Sequence, residues 1–340
     1  MRPLLSIIIP YYNHPDSLPV LLDSIEAQRF DDYEIIIVDD CSDQPCDAEA
    51  QRRRKNGGEL RLLKNPQRLY TKETRLRGVE AAQGEYIMFA DADDRLYGKH
   101  ALKRNMESII SSKADLLQFR ALVHDPANTH QMWSYMSMPW PGIAADREIF
   151  ARYVRGGMFS HFVWGKIAPK ALWCRCLEPA RQIKIRRYQE DLLLSSLLYL
   201  HARSFVGSEH IGYERQYIDK NVQKACGRVV ANYLMLTGFI PYARSIMEKD
   251  PVWLEAGDEK ETILSLAGEK FREWLNLHLL IYLSAIIHGQ SSMDEIKQHI
   301  EEEKFMRIIE TPDMLYSNLK TLVTDVGLIP GGAGLPRMIA

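Results

Sequence analysis

Three short apolar runs, each breaking off on polar or acidic residues, constrain the fold of this chain more than any other feature. They are "SIIIPYYN" (Ser6–Asn13), "YEIIIVDDCSD" (Tyr33–Asp43) and "YIMFADADD" (Tyr86–Asp94). Each is too short for a buried helix and rich in β-branched or aromatic residues, so each reads as a strand buried on both faces. Pro10 is expected to break the first strand. Segments of helical spacing lie between the runs: Leu18, Leu21, Leu22 and Ile25 in one, and "TKETRLRGVEAAQG" in another, which Gly84 is expected to close. "ELRLLKN" reads as a further short strand. Alternating strands and helices imply an α/β fold with right-handed crossovers and a mostly parallel sheet covered on both faces. Ligands gather outside the carboxyl ends of such strands, and the polar chain ends fall on that edge.

The later chain changes character. Residues 125–141 read as a long irregular loop, "REIFARYVRGG" and "YQEDLLLSSLLYLHA" as helices, and "HFVWGKIAPKALW" as mixed. From about Lys220 to Val326 the periodicity is almost purely helical, and the Gly/Pro-rich tail reads as loosely ordered. A boundary is therefore expected near Asp219, separating a 1–218 catalytic domain from a C-terminal α-helical region over 219–340. "EWLNLHLLIYLSAIIHG" and "YLMLTGFIPYARSIM" carry much apolar surface, which core packing, homodimerisation or docking on the inner membrane face would absorb. No apolar run is long enough to span a bilayer. With 43 basic and 45 acidic residues, the net charge of −2 gives no reason to expect nucleic acid as a partner. Five cysteines in no metal-binding spacing, without a secretory signal, point to reduced thiols in a cytoplasmic protein.

The chemistry concentrates in a few clusters. Asp91, Asp93 and Asp94 fall within four positions at a strand end, where like charges repel unless a cation compensates. Carboxylates at i and i+2 suit Mg²⁺ or Mn²⁺, which take oxygen ligands alongside substrate phosphates. The alternative is a loop whose aspartates cap the following helix, and Asp94 is read that way. Asp39 and Asp40 end another strand and suit the N–H and hydroxyl donors of a base and ribose; a phosphorelay receiver would instead need its acidic pair after the first strand. Among Arg68, Lys72, Arg75 and Arg77, we expect Arg75 to face a diphosphate, with Lys72 second and the others on a solvated helix face. "QRRRKNGG" reads as an exposed helix end. Glu190 and Asp191 open an apolar helix, as caps or with Asp191 as a general base whose pKa the helix N-terminus holds low. Neighbours in a helix do not share a face, so Glu190 is expected to point elsewhere. His161, Trp164 and Lys166 are candidates for an acceptor pocket, Trp164 equally for the core.

Taken in order, "SIIIPYYN", "YEIIIVDDCSD", "GEYIMFADADD", "VWGKI" and "YQED" resemble the inverting family 2 glycosyltransferases over residues 4–218. The resemblance implies the GT-A nucleotide-binding fold and a nucleotide-sugar donor, usually a UDP-sugar. It implies that Pro10, Tyr11 and Asn13 meet the nucleotide and that Asp40, beside Asp39, contacts the base. It further implies that Asp91 and Asp93 form the metal-binding D-x-D with Asp93 as ligand, and that Asp191 is the catalytic base. Arg75 matches the arginine of the family's A-R-N-x-G helix, but Thr74 and Leu76 depart from that motif. The acceptor class it suggests is a glycan or lipid-linked glycan in surface polysaccharide assembly. Rival readings are a nucleotidyltransferase, which would want a Gly-rich triphosphate loop where this chain has "PYYNHPDS", and a non-catalytic sugar-nucleotide or glycan binder.

Overall fold

The computed structural model describes residues 2–47, 59–124, 132–137, 139, 141–157, 159–185, 189–216, 232 and 234–287. "QRRRKNGG", the expected boundary near Asp219 and the Gly/Pro-rich tail lie outside these residues. The chain divides into two compact units, Met1–Leu280 and Ile281–Ala340, and the architecture below belongs to the first, as far as Leu280 of the last described helix.

The expected strands form. β1 (Leu5–Tyr11), β2 (Tyr33–Asp39), β3 (Leu60–Lys64) and β4 (Tyr86–Phe89) line up in parallel in the order β3-β2-β1-β4. The sheet continues through β9 (Lys166–Pro169), β6 (Leu116–His124) and β10 (Ser204–Gln216) to β5 (Arg95–Leu96). β9 runs antiparallel to both β4 and β6, while β6 and β10 pair in parallel. β7 (Met132–Ser137) pairs antiparallel with β6 and β8 (Ile143–Ala145) with β10, so the segment expected to be one long loop contains a strand.

Pro10 does not break β1, which pairs on through Tyr11 with Asp39. The Tyr11 carbonyl accepts from Asp40 N on the β2 side, so strand alternation turns the Pro10 nitrogen towards β4. Pairing there ends at Ile8 with Phe89, and a missing N–H costs no ladder bond.

Helices cover both faces. α1 (Leu18–Glu26) packs Leu18, Leu21, Leu22 and Ile25 against Ile7, Ile9, Ile35 and Ile37. α2 (Tyr70–Ala81) lies over the alternate face, where a Cβ on Gly78 would overlap Ile8 Cγ2. α2 ends at Ala81, before Gly84. Gly84 instead lets the chain pass β1: its N–H donates to Ser6 Oγ at 2.9 Å, and a Cβ would lie 2.6 Å from Ser6 N. α3 (Ala101–Ser112), α4 (Arg147–Val154), α5 (Lys170–Gln182) and α6 (Glu190–His201) follow, with Trp173 of α5 edge-on to Phe89 at 5.0 Å.

Beyond a π turn at Met235–Phe239 come α7 (Ile240–Met247), α8 (Pro251–Leu254) and α9 (Glu259–Ile287). Phe239 and Trp253 stand 6.0 and 6.3 Å from Phe150 of α4, and Phe271 stands 5.8 Å from Phe239. Much of the apolar surface of "YLMLTGFIPYARSIM" is thus buried on the α4 side of the same compact unit, with Met235, Phe239, Ala243 and Met247 all inside. No helix among the described residues is long and apolar enough to cross a membrane.

Candidate active site

The carboxyl ends of β1, β2 and β4 open with the start of α6 into a cavity of about 420 Å³. Pro10, Tyr11, Asp40, Arg75, Asp91, Asp93, Trp164, Glu190 and Asp191, all singled out in the sequence, line it. Asn13, Asp39, His161 and Lys166 do not.

Arg75 is the centre of the arrangement. Its guanidinium is 2% exposed; Nη2 donates to Asp91 Oδ1 at 2.7 Å, and Nη1 donates to Glu190 Oε1 at 3.2 Å and to Asp191 Oδ1. Burial alone would lower its pKa, but Asp191, Asp91 and Glu190 outweigh that and hold it raised. A diphosphate expected to meet Arg75 therefore finds its charge already matched by three carboxylates. Glu190 and Asp191 do converge, contrary to expectation, because a long and a short first-turn side chain reach the same guanidinium nitrogen.

Asp191 also departs from the expected low pKa. Burial pushes its carboxyl up to about 7; Arg75 and Lys166 pull down, while Glu190 and Asp91 push further up. Desolvation outweighs the helix N-terminus here. A carboxylate poised near neutrality and open to a cavity can accept a proton from a bound hydroxyl.

Asp91, Asp93 and Asp94 place their carboxylate oxygens within 4.8 Å of one another. Every donor in this set is a carboxylate oxygen, which fits Mg²⁺ or Mn²⁺ better than zinc. Arg75 takes one oxygen of Asp91 and leaves the other. Asp93 lines the cavity, whereas Asp94 is buried. The Asp91 N–H donates to the Tyr213 hydroxyl at 2.8 Å, tying the loop after β4 to β10.

The β2 aspartates are engaged largely inside the protein. Asp40 accepts from Asn65 Nδ2 and Leu69 N at 2.7 Å each and from Tyr70 N at 2.8 Å, so it anchors the start of α2. Tyr70 sits at φ +64, a left-handed conformation rare for a bulky residue, held by that bond. Asp39 accepts from Ser42 N. Asn13, at φ +53, accepts through Oδ1 from Gln44 N and shapes the loop rather than the cavity wall.

Two cations turn away. Lys166 is a candidate for the acceptor pocket by sequence, yet its buried ammonium donates to the carbonyls of Ser160, at 2.6 Å, and Phe162. Burial pushes its pKa down to about 7, against the pull of Asp191. Lys72 donates to the carbonyls of Ala180 and Ile183 at the end of α5. In both cases backbone carbonyls inside the fold outcompete the cavity.

Trp164 lies in the floor, stacked at 4.9 Å on Tyr213 and at 4.9 Å on Phe162, so its core and cavity readings both hold. Tyr12, Tyr70, Phe162 and Arg215 also line the cavity, and none of them is assigned to a site from the sequence; Arg68, expected on a solvated helix face, lines it too, its guanidinium held against Tyr12. Position is the available signal for Tyr12: it follows directly on β1, at the carboxyl edge where ligands gather. Its ring carries the Arg68 guanidinium at 3.8 Å. Arg215 reaches the same edge because β10 runs parallel to β6, a pairing no local pattern reveals.

Residues 6–167 match the family model described as "Glycosyl transferase family 2". A similar protein is the "Amylovoran biosynthesis glycosyltransferase AmsB" of Erwinia amylovora, 29% identical over 158 residues, covering 44% of this chain and 50% of that one. A PGL/p-HBAD biosynthesis glycosyltransferase of Mycobacterium bovis is 27% identical over 225 residues, covering 65% of this chain and 83% of its own. The matched stretch spans half or less of the first three such relatives. The crystal structure of S. aureus TarS 1-349 in complex with UDP superposes with a TM-score of 0.59 at 21% identity, over 87% of this chain and 78% of that one. At that identity the likeness is one of fold: a GT-A-like α/β architecture.

Proposed function

We propose that the protein, whose residues 6–167 match the glycosyl transferase family 2 model, moves a sugar from a nucleotide-diphosphate donor, a UDP-sugar, to a hydroxyl of a glycan or lipid-linked acceptor with inversion at the anomeric carbon. The observation that carries this reading is that one cavity holds both the Asp91–Asp93 oxygen cluster and the near-neutral carboxylate of Asp191. Metal-directed and proton-accepting groups at one site are what a single displacement needs.

In that displacement the acceptor oxygen bonds to the anomeric carbon as the bond from that carbon to the diphosphate oxygen breaks. Asp191 takes the hydroxyl proton, and the nucleoside diphosphate leaves with the bonding pair. Asp93 and Asp91 would hold Mn²⁺ or Mg²⁺, which when bound offsets charge on the diphosphate. Arg75 keeps Asp191 and Asp91 in fixed relation. Pro10, Tyr11 and Tyr12 would wall the nucleotide side, with Asp40 setting the position of Tyr70 on the cavity wall. We place this reaction in surface polysaccharide assembly, in the cytoplasm or at the inner membrane face; an amylovoran biosynthesis glycosyltransferase among the similar proteins supports the biosynthetic role.

The test is transfer and hydrolysis across a panel of nucleotide sugars, with Mn²⁺ and with EDTA. Metal-dependent release of UDP from one sugar nucleotide supports the reading. Tight binding without turnover would favour a sugar-nucleotide binder, and pyrophosphate release from a nucleoside triphosphate a nucleotidyltransferase.

A further inference from the structure

An aromatic ledge leaves the cavity at Trp164 and Phe162. Trp164 and Phe162 line the cavity and stack at 4.9 Å with planes 17° apart. The His161 ring lies 4.1 Å from Phe162, and Trp274 of α9 meets His161 at 5.2 Å, edge to face. His161, Phe162 and Trp274 are each only half-buried. Arg215 places its guanidinium 5.4 Å from the Phe162 ring and also lines the cavity. The series thus runs without a break from the cavity to a helix more than a hundred residues further along the chain.

We propose that this ledge is an extended acceptor subsite, taking an oligosaccharide whose reacting unit sits at Asp191 and whose further units stack on Phe162, His161 and Trp274. The idea rests on the glycosyltransfer reading and sharpens it by naming the acceptor class as a chain of sugars. The face of a pyranose is a patch of C–H groups ringed by hydroxyls, and flat aromatic rings beside an arginine and a histidine offer both complements. Aliphatic side chains would suit a lipid tail better; here the half-buried surface is aromatic. His161 and Trp274 do not line the cavity. A single sugar at Asp191 leaves them untouched, so they can act only on an acceptor longer than its reacting unit.

The test uses the full chain with its six tryptophans labelled as 5-fluorotryptophan and follows ¹⁹F resonances, with Trp274→Phe assigning the one of interest. The probes are β-1,4-linked N-acetylglucosamine oligomers and cello-oligosaccharides of one to six units, with UDP titrated into the same samples. The expected result is affinity that climbs with length over the first few units, a Trp274 resonance that moves only with the longer oligomers, and a roughly tenfold loss of long-oligomer affinity in Trp274→Ala. Trp274→Phe, which keeps a flat face, should restore most of that loss. Length-independent binding, a Trp274 signal that no oligomer moves, or an alanine variant that binds as the parent does would each overturn the proposal. UDP binding reports separately: its absence in the parent overturns the donor reading, and its retention in Trp274→Ala shows that any loss is local to the ledge.

Discussion

Arg75 Nη2 donates to Asp91 Oδ1 across 2.7 Å, and that bond links α2 to the aspartate-rich loop after β4. The same guanidinium holds Glu190 and Asp191 on α6. Breaking a buried ion cluster by removing one partner leaves charge uncompensated, so Arg75→Met should cost about 3–5 kcal/mol of stability. Chemical denaturation checks the magnitude. Because Arg75 pulls the Asp191 pKa down, any folded Arg75→Met protein should show the acid limb of its pH–rate profile moved to higher pH.

Asp191→Asn should leave UDP affinity near that of the parent and lower kcat by roughly 10²–10⁴-fold. In the parent, kcat should fall as the pH drops through about 7, where Asp191 becomes protonated. The stability sign follows from the same shift. Raised from 3.8 to about 7, the group binds more protons in the folded than in the unfolded protein between those values. Its contribution favours folding at acid pH and declines as the pH rises to about 7. Thermal melts should therefore find Asp191→Asn at least as stable as the parent at about pH 8, and a marked drop in Tm there would make the residue a structural one.

Calorimetry of UDP binding should show a strong requirement for Mn²⁺ or Mg²⁺ that EDTA removes. Asp93→Asn, on the cavity wall, should weaken metal-dependent binding roughly tenfold or more. The buried Asp94→Asn should weaken it far less. Equal UDP affinity in Mn²⁺ and in EDTA would remove the metal role.

Asp40→Ala should lower stability as well as nucleotide affinity. It removes the carboxylate to which Leu69 N, Tyr70 N and Asn65 Nδ2 donate, of which Asn65 Nδ2 keeps Thr74 Oγ1 at 3.2 Å, a loss of about 1–3 kcal/mol. A variant with unchanged Tm and weakened UDP binding would restore Asp40 to a purely ligand-facing role.

Gly78→Ala should also be felt at the site. The added methyl would overlap Ile8 Cγ2 and push α2 away from β1, at about 1–3 kcal/mol. Arg75 lies three residues earlier on that helix, so kcat should fall along with Tm. A melt and a rate measured on one preparation decide it.

Local pattern was enough to establish the α/β class, the parallel order implied by alternating strands and helices, and the edge where the acidic groups collect. These follow from short-range quantities: the length of an apolar run, its β-branching, and the residues on which it stops. The same short-range information named Asp91, Asp93, Arg75, Glu190 and Asp191 as the groups with chemistry. What each group meets depended on the folded chain. Asp191 lies about a hundred residues from Asp91, and only the packing of α2 against α6 brings both to Arg75, where burial raises a carboxyl that helix position alone would lower. Lys166 and Lys72 turn inward because carbonyls from other turns and helix ends stand within reach. Trp274 reaches His161 because α9 folds back within the same compact unit. Burial and long-range pairing depend on where the whole chain goes, and no window of neighbouring residues carries that information.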